Sequence, residues 1–170
     1  MVVAETERLI ITKFTLDDAQ FFIDLVNTPK FKLFIGDRKV NTIDQAKARI
    51  KKGHLNDYKT HGYGFYKLHL KAENNKPIGT NGLTKRANLE LPDIGFAMLP
   101  EYEGKGYGLE SSLAILELAK NSFDLKKIGA ITKDNNVASI KLIEKLGFNF
   151  IKMVKPFEDD SELMLFAKNL

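Results

Sequence analysis

The sequence predicts a mixed α/β fold, in which about four helices flank a central, mostly antiparallel sheet of about seven strands with a parallel central pair. Three observations predict it. The 170 residues suffice for one domain, which we expect to span residues 1–170. Apolar residues recur with a period of two in some segments and of three to four in others. A strand, a helix and a strand follow one another in the second half, which implies a parallel crossover.

Helix caps and turn residues set the expected bounds of these elements. Thr15 precedes an acidic first turn, and Thr42 with Gln45 three residues later forms a capping box. We expect the helix after Thr42 to stop at Gly53, and the last helix to be capped by Gly147. The predicted strands are 8–14, 63–70, 78–85, 89–99, 127–132, 148–154 and 162–167; the predicted helices are 15–27, 43–52, one with Leu109, Leu113, Leu116 and Ala119 on its buried face, and 137–146.

Composition excludes several classes of site and favours a cytoplasmic location. The chain has no cysteine, which removes disulfides, thiolate nucleophiles and cysteine-bound zinc, and its three histidines lack metal-ligand spacing, so no metal is expected. No apolar stretch is long enough to cross a membrane. The 26 basic and 22 acidic residues are mixed along the chain, and the densest basic patch, Lys47, Arg49, Lys51 and Lys52, is expected to be a solvated helix face. We therefore expect no nucleic-acid partner, and a monomer or homodimer.

The main functional signal is a set of three alternating glycines, Gly104, Gly106 and Gly108, between a predicted strand and a predicted helix. Glycine costs backbone entropy, so three in one loop indicate that a ligand approaches the main chain closely. Bare N–H groups at the start of a helix favour phosphate oxygens. The spacing fits neither a Walker loop nor the G-x-G-x-x-G loop of dinucleotide-binding folds, so a different phosphate ligand is predicted.

The motifs along the chain resemble those of the GNAT superfamily of N-acetyltransferases, and in particular its RimJ/RimL-type branch. The spacing from Glu103 through Gly106 to Gly108 resembles the family's Q/R-x-x-G-x-G/A signature. The other matches are Thr6-Glu7-Arg8-Leu9, Leu16-Asp17-Asp18-Ala19, Ile78-Gly79 with Gly82-Leu83, Asp93-Ile94-Gly95-Phe96, Pro100-Glu101, Glu110, Asn136-Val137-Ala138-Ser139, and Glu144-Lys145-Leu146-Gly147-Phe148. Since they keep the family's order and spacing over nearly the whole chain, the resemblance implies the GNAT fold.

The resemblance also implies acetyl-CoA as a cosubstrate and assigns residues to the reaction. Asp93 matches a position that often carries a catalytic glutamate, so it is the first candidate for the general base, and Ser139 is a candidate proton donor to the thiolate. Main-chain donors of the glycine loop would bind the diphosphate. The implied cofactor-binding residues are Phe96, Ala97, Met98, Gly104, Lys105, Gly106, Tyr107, Gly108, Leu109 and Asn136.

Some roles stay open at this level. The base is Asp93, Glu90 or a water chain, and Asn136 suits a helix N-cap as well as a cofactor contact. Glu103 replaces the family's glutamine or arginine, so its carboxylate is expected to point away from the phosphates. Ile143 occupies the position where many relatives carry a tyrosine acid, so that role cannot be transferred.

These observations predict an acetyl-CoA-dependent N-acetyltransferase in which a primary amine attacks the thioester directly, without a covalent enzyme intermediate. The acceptor is a protein N-terminal amine or a small-molecule amine. The alternative is a non-catalytic acyl-CoA-binding module of the same fold, which would keep the glycine loop and lack a competent base. A nucleotide-dependent oxidoreductase is a third hypothesis and would bind NAD instead of CoA.

Overall fold

One eight-stranded sheet organises the molecule, and the computed structural model describes all residues, 1–170. The strand order is β1-β2-β3-β4-β5-β6-β8-β7, and every neighbouring pair is antiparallel except the parallel pair β5 and β6. The strands are β1 Val2–Glu5, β2 Leu9–Lys13, β3 Phe65–Leu70, β4 Lys76–Thr84, β5 Asp93–Met98, β6 Lys127–Thr132, β7 Asn149–Val154 and β8 Leu163–Asn169. The predicted fold class is confirmed. The prediction missed β1, an edge strand without alternation of buried and exposed positions.

Helices cover the sheet and form one wall of a cleft. They are α1 Ala19–Val26, α2 Pro29–Phe34, α3 Ile43–Ile50, α4 Asn56–His61, α5 Tyr107–Asn121 and α6 Val137–Lys145. The prediction missed α2, a six-residue helix that starts at Pro29. The capping box of α3 is confirmed, because Thr42 Oγ1 accepts from the Gln45 N–H and Gln45 Oε1 accepts from the Thr42 N–H. No helix combines the length and apolar character that a membrane span requires.

The helix that begins after Thr42 continues past Gly53, contrary to the prediction. Residues 51–55 form a π-helical turn that joins α3 to α4, and the run ends at Gly62, which has φ 79°. Gly53 does not adopt a positive φ, so it does not cap the helix. The left-handed conformation of Gly62 is what ends it. The wider turn matters for the site because it directs His54 towards the cleft.

Two further predictions are wrong for physical reasons, the start of β5 and part of the buried face of α5. The strand expected at 89–99 starts only at Asp93, since Pro92 has no N–H to contribute to a ladder. Glu90 therefore lies in an exposed loop and not on β5. The buried face of α5 also differs in part from the expected one, since Leu116 and Ala119 are buried as expected but Leu113 is 55% exposed. The residues of α5 that are buried are Tyr107, Ser111, Ser112, Ile115, Leu116 and Ala119.

A polar contact explains the rotation of α5. Asn81 on β4 is fully buried, and its amide Nδ2 donates to the hydroxyls of Ser111 and Ser112, each at 2.8 Å. A buried amide needs partners, so the two serines turn towards the sheet and Leu113 turns away. Apolar periodicity alone could not detect this match.

The glycines of β4 allow strands to pack at distances that no side chain permits. A Cβ atom at Gly82 would lie 2.2 Å from the carbonyl oxygen of Gly64 and 2.5 Å from the Cα of Phe65. A Cβ atom at Gly79 would lie 2.5 Å from the carbonyl oxygen of Ala97. Since the close neighbours include backbone atoms at both positions, these glycines are required by the spacing of β3, β4 and β5.

We expect Gly82→Ala to lower the free energy of unfolding by about 1–3 kcal/mol, because the main chain of β3 must move to admit the methyl group. Urea denaturation followed by circular dichroism measures it. Gly53→Ala is the matched control: a Cβ there has no neighbour within 4 Å, so the helix should be unchanged or more stable. Equal stability of Gly82→Ala and wild type would contradict the packing argument.

Candidate active site

The parallel strands β5 and β6 separate after a single step of pairing. Asp93 lies opposite Gly129 and Ile94 opposite Ala130, and no later residue of β5 pairs with β6. The Pro92 carbonyl accepts from the Gly129 N–H on the β6 side, whereas the Leu99 N–H donates to Ile78 on the β4 side. Since N–H and C=O groups alternate sides along a strand, those of Phe96 and Met98 face the gap. The gap thus offers unpaired main-chain donors and acceptors to a ligand.

The glycine loop leads from the open end of β5 into α5 and presents more free donors. Gly104 and Gly106 have φ 70° and 85°, and Gly106 is the N-cap of the 15-residue α5. The first N–H of this region to donate a hydrogen bond is that of Glu110, to the Gly106 carbonyl. Residues 104–109 therefore present six consecutive N–H groups without an acceptor in the protein. Such a nest at a helix N-terminus fits a diphosphate, as the main chain provides both hydrogen bonds and positive potential.

An N-terminal motif holds this loop in place. Glu110 on α5 accepts from the Thr6 hydroxyl at 2.6 Å, the Arg8 N–H at 2.8 Å and Arg8 Nε at 2.6 Å. Arg8 in turn donates to the Lys105 carbonyl at 3.0 Å and lies over the Tyr107 ring. Burial raises the pKa of Glu110, but the hydrogen bonds from Thr6 and Arg8 outweigh that effect and lower it.

We expect Glu110→Gln to raise the KM for acetyl-CoA several-fold and to lower the free energy of unfolding by about 1 kcal/mol, since Arg8 loses its charged partner. Steady-state kinetics and thermal denaturation measure the two effects. Glu117→Gln is the matched control, because Glu117 lies on the same helix, is exposed and accepts a side-chain hydrogen bond from Asn121 alone. If both variants behave alike, the network does not position the loop.

The side chains near the loop explain the departure at Glu103. Its carboxylate forms an ion pair with Lys30 of α2, so its charge is neutralised at the edge of the cleft. Tyr102 is buried beside this loop, and its hydroxyl donates to Glu73 at 2.5 Å.

The start of α6 forms the opposite wall of the gap. Asn136 is the N-cap of α6, and its Oδ1 accepts from the Ser139 N–H at 3.3 Å, which confirms the capping alternative. Its Nδ2 and the Ser139 hydroxyl make no hydrogen bond within the protein, although both residues line the cleft. Ile143 is 1% exposed.

A cleft of about 1280 Å³ connects the gap, the loop and the helices α1 to α4. Its cofactor side contains the predicted residues from β5, the glycine loop and α6. Its acceptor side is lined mainly by aromatic rings and arginines. The acceptor-side residues used below are Phe14, Phe22, Phe31, Arg38, Arg49, His54, Asp57, Phe65, Arg86 and Asp93. Every predicted site residue except Lys105 lines this cleft, and the exposed Glu90 does not.

Asp93 lies where the two sides of the cleft meet. Its side chain is 2% exposed, and Oδ1 accepts from Arg86 Nε at 2.9 Å. Oδ2 accepts no hydrogen bond within the protein. Burial raises the pKa of Asp93 to about 6, although the Arg86 charge opposes the shift. Such a carboxylate is ionised at neutral pH and is matched in pKa to accepting a proton.

Sequence patterns missed His54 and the three arginines on the acceptor side, Arg38, Arg49 and Arg86. His54 packs between the rings of Phe14 and Phe22, with centroids 4.4 and 5.4 Å away. Burial and the nearby Arg49 lower the pKa of His54 to about 4, so the ring is neutral, and its Nδ1 is buried without a partner. The π-helical turn that places His54 has no sequence signal. Arg49 belongs to the patch predicted to be a solvated face, yet it lines the cleft.

Comparison with known proteins agrees with this geometry. Residues 8–149 match the family model described as "Acetyltransferase (GNAT) domain". The uncharacterized N-acetyltransferase p20 of Bacillus licheniformis is 25% identical over 155 residues, which cover 90% of this chain and 85% of that protein. The match to the family model spans most of the chain, including β5, the glycine loop and the start of α6.

Solved structures show the same fold at lower identity. The ribosomal-protein-S5-alanine acetyltransferase of Vibrio fischeri has a TM-score of 0.78 and 20% identity, covering 98% of this chain and 95% of its own. RimL, the ribosomal L7/L12 α-N-protein acetyltransferase in complex with coenzyme A, has a TM-score of 0.84 and 13% identity, covering 100% of this chain and 98% of its own. At these identities the similarity establishes the fold.

Proposed function

The chain belongs to the GNAT acetyltransferase family, and from that premise we propose that it transfers the acetyl group of acetyl-CoA directly to a primary amine. The acceptor is a protein N-terminal amine or the amine of a small molecule. When bound, acetyl-CoA supplies an acetyl thioester whose carbonyl carbon the amine attacks. No residue of the chain becomes acetylated in this scheme.

The cofactor side supplies main-chain groups for binding. The free N–H groups of residues 104–109 fit the two phosphates, and those of Phe96 and Met98 fit the amide-containing arm and the thioester oxygen. Ala97 lies between these two donors, pairs with Thr80 of β4 and lines the cleft. Asn136 adds a side-chain donor, because its Nδ2 is free while its Oδ1 caps α6.

The reaction also requires a base and an acid. Asp93 accepts the proton of the attacking amine through its free Oδ2, directly or through one water, while Arg86 holds Oδ1. The Ser139 hydroxyl donates a proton to the departing sulfur and takes one back from water in the cleft, which also receives the proton from Asp93, so both side chains return to their starting states. Many relatives carry a tyrosine acid at the position of Ile143. Isoleucine has no hydroxyl, so Ser139 is the proton donor that α6 offers in this chain.

The observation that carries the proposal is the continuity of one cleft. The unpaired donors of β5 and the glycine loop reach from one end, and Asp93 lies in the same cleft at the point where β5 and β6 begin to separate. A cofactor bound along the gap would bring its thioester towards this carboxylate. The groups that bind the cofactor and the group that takes the proton therefore act on the same acetyl-CoA and amine molecules.

A thiol-release assay tests the function. Purified protein with acetyl-CoA is incubated with peptides that begin with small residues and with a panel of small amines, and we expect free CoA to appear with one class. Stabilisation against heat by acetyl-CoA without CoA release from any amine would favour the non-catalytic module. No stabilisation by CoA, together with stabilisation by NAD, would contradict the assignment of the gap.

A further inference from the structure

Three arginines from separate segments converge on the acceptor side of the cleft. Arg38 lies in the loop after α2, Arg49 in α3 and Arg86 in the loop between β4 and β5, and all three line the cleft. Arg86 is paired with Asp93. Arg38 and Arg49 form no ion pair and donate no hydrogen bond; Arg38 contacts only a ring face, with its guanidinium 5.9 Å from the Phe31 centroid.

The charges around Arg38 are not balanced by the protein. Besides the three arginines, the acceptor side holds two carboxylates, Asp57 and Asp93, and the neutral His54. One positive charge therefore remains. Burial lowers the pKa of Arg38, and the charges of Arg49 and Arg86 lower it further. A half-buried guanidinium that loses water without gaining an anion is costly, and a bound anion removes this cost.

We propose that Arg38, with Arg49, binds an anionic group of the acceptor, so that the physiological acceptor is a small amine carrying a carboxylate or a phosphate. This inference rests on the proposed function. Arg86 pairs with Asp93, which takes the proton of the amine, and it lies near enough to Arg38 for its charge to lower the pKa of that residue. The amine and the anion of the acceptor would therefore bind on the same side of the cleft, as the two groups of an amino acid or a phosphorylated amine require. The same positive charge disfavours polyamines.

Paired acceptors test the proposal directly. Glycine, serine and alanine are each compared with their amides, and O-phosphoethanolamine with ethanolamine, as acetyl acceptors. We expect kcat/KM for the anionic member to exceed that for the neutral member by at least about tenfold, with the preferred pair showing whether carboxylate or phosphate is the ligand. The amide amine is more easily deprotonated, which favours the neutral member and makes the comparison stringent.

Variants locate the effect. Arg38→Gln should raise the KM for the anionic amine by about ten- to hundredfold and leave kcat/KM for the neutral amine and the KM for acetyl-CoA unchanged. Lys59→Gln is the matched control, since Lys59 is exposed on α4 and does not line the cleft. Equal use of neutral and anionic amines, or a preference for an acidic peptide over every small anion, would overturn the proposal. So would an Arg38→Gln defect confined to acetyl-CoA.

A binding measurement separates this proposal from the proposed function. The protein is first saturated with CoA, inorganic phosphate is then titrated in, and the heat of binding is measured by calorimetry. Heat that is lost in Arg38→Gln supports the anion site even where no amine is acetylated, in which case only the proposed activity fails. The absence of phosphate binding together with absence of a charge preference among acceptors overturns the anion site while leaving acetyl transfer intact.

Discussion

Asp93→Asn is expected to lower kcat by about a hundred- to thousandfold while leaving the affinity for CoA unchanged. The substitution keeps the volume of the side chain and an oxygen for the Arg86 hydrogen bond, but it removes the acceptor of the proton. The phosphate nest lies beyond the opposite end of β5, so binding of CoA should not respond. Stopped assays of thiol release and calorimetric titration of CoA measure the two quantities.

The pH dependence gives a second, independent signature of Asp93. Since burial raises its pKa to about 6, kcat of the wild type should fall as the pH drops through about 6, where the carboxylate becomes protonated. The sign for stability follows from the same shift. The folded-state pKa is above the unfolded value, so this group's contribution to stability is full below pH 3.8 and is lost as the pH rises through about 6. In Asp93→Asn, kcat should no longer fall as the pH drops through about 6, and the pH-dependent contribution of Asp93 to the free energy of unfolding should be absent.

Glu90→Gln is the control for the base. Glu90 is exposed and does not line the cleft, so this variant should keep the kcat and the pH profile of the wild type. A large loss in Glu90→Gln, or wild-type turnover in Asp93→Asn, would transfer the role of the base away from Asp93 to Glu90 or to a chain of waters.

Local signals in the sequence locate the glycine loop and the N-cap of α6, the two features on which the proposed cofactor side depends. Gly104, Gly106 and Gly108 can be recognised in the sequence because an ordinary turn does not need three alternating glycines. The N-cap at Asn136 can be recognised because it depends on a hydrogen bond to a residue only three positions away. Pairing of β5 with β6 stops at Ile94, which leaves the main chain of Phe96 and Met98 unpaired, two residues that the family resemblance assigns to cofactor binding. Short-range backbone chemistry is enough for these features.

The acceptor side depends on contacts that no local pattern encodes. Arg49 has the sequence environment of a solvated helix face, and it lines the cleft because α3 packs against α1, with Ala46 and Ile50 buried in the same apolar cluster as Phe22. His54 reaches the cleft through a π-helical turn whose residues look like the end of a helix. Leu113 was expected to be buried, but the partners required by Asn81 rotate α5. In each case a tertiary contact outweighs local periodicity.

Gly106→Val is expected to weaken CoA binding by about ten- to hundredfold. A β-branched residue is strongly disfavoured at φ 85°, so the loop must change its backbone conformation and some of the free N–H groups will turn away from the phosphates. A Cβ atom at Gly106 would also lie 3.2 Å from an Arg8 nitrogen, which disturbs the contact that holds the Lys105 carbonyl. Calorimetric titration of CoA measures the loss.

Gly62→Val is the control that separates the effect of backbone strain on stability from the effect of losing the free N–H groups of residues 104–109 on CoA binding. Gly62 ends α4 at φ 79°, its Cβ would have no neighbour within 4 Å, and it does not line the cleft. Both variants should therefore lose about 1–2 kcal/mol of unfolding free energy, since both place a side chain in the left-handed region. Only Gly106→Val should lose CoA affinity. Equal affinities in the two variants would mean that CoA does not depend on the donors of residues 104–109, and the cofactor side would have to be assigned elsewhere.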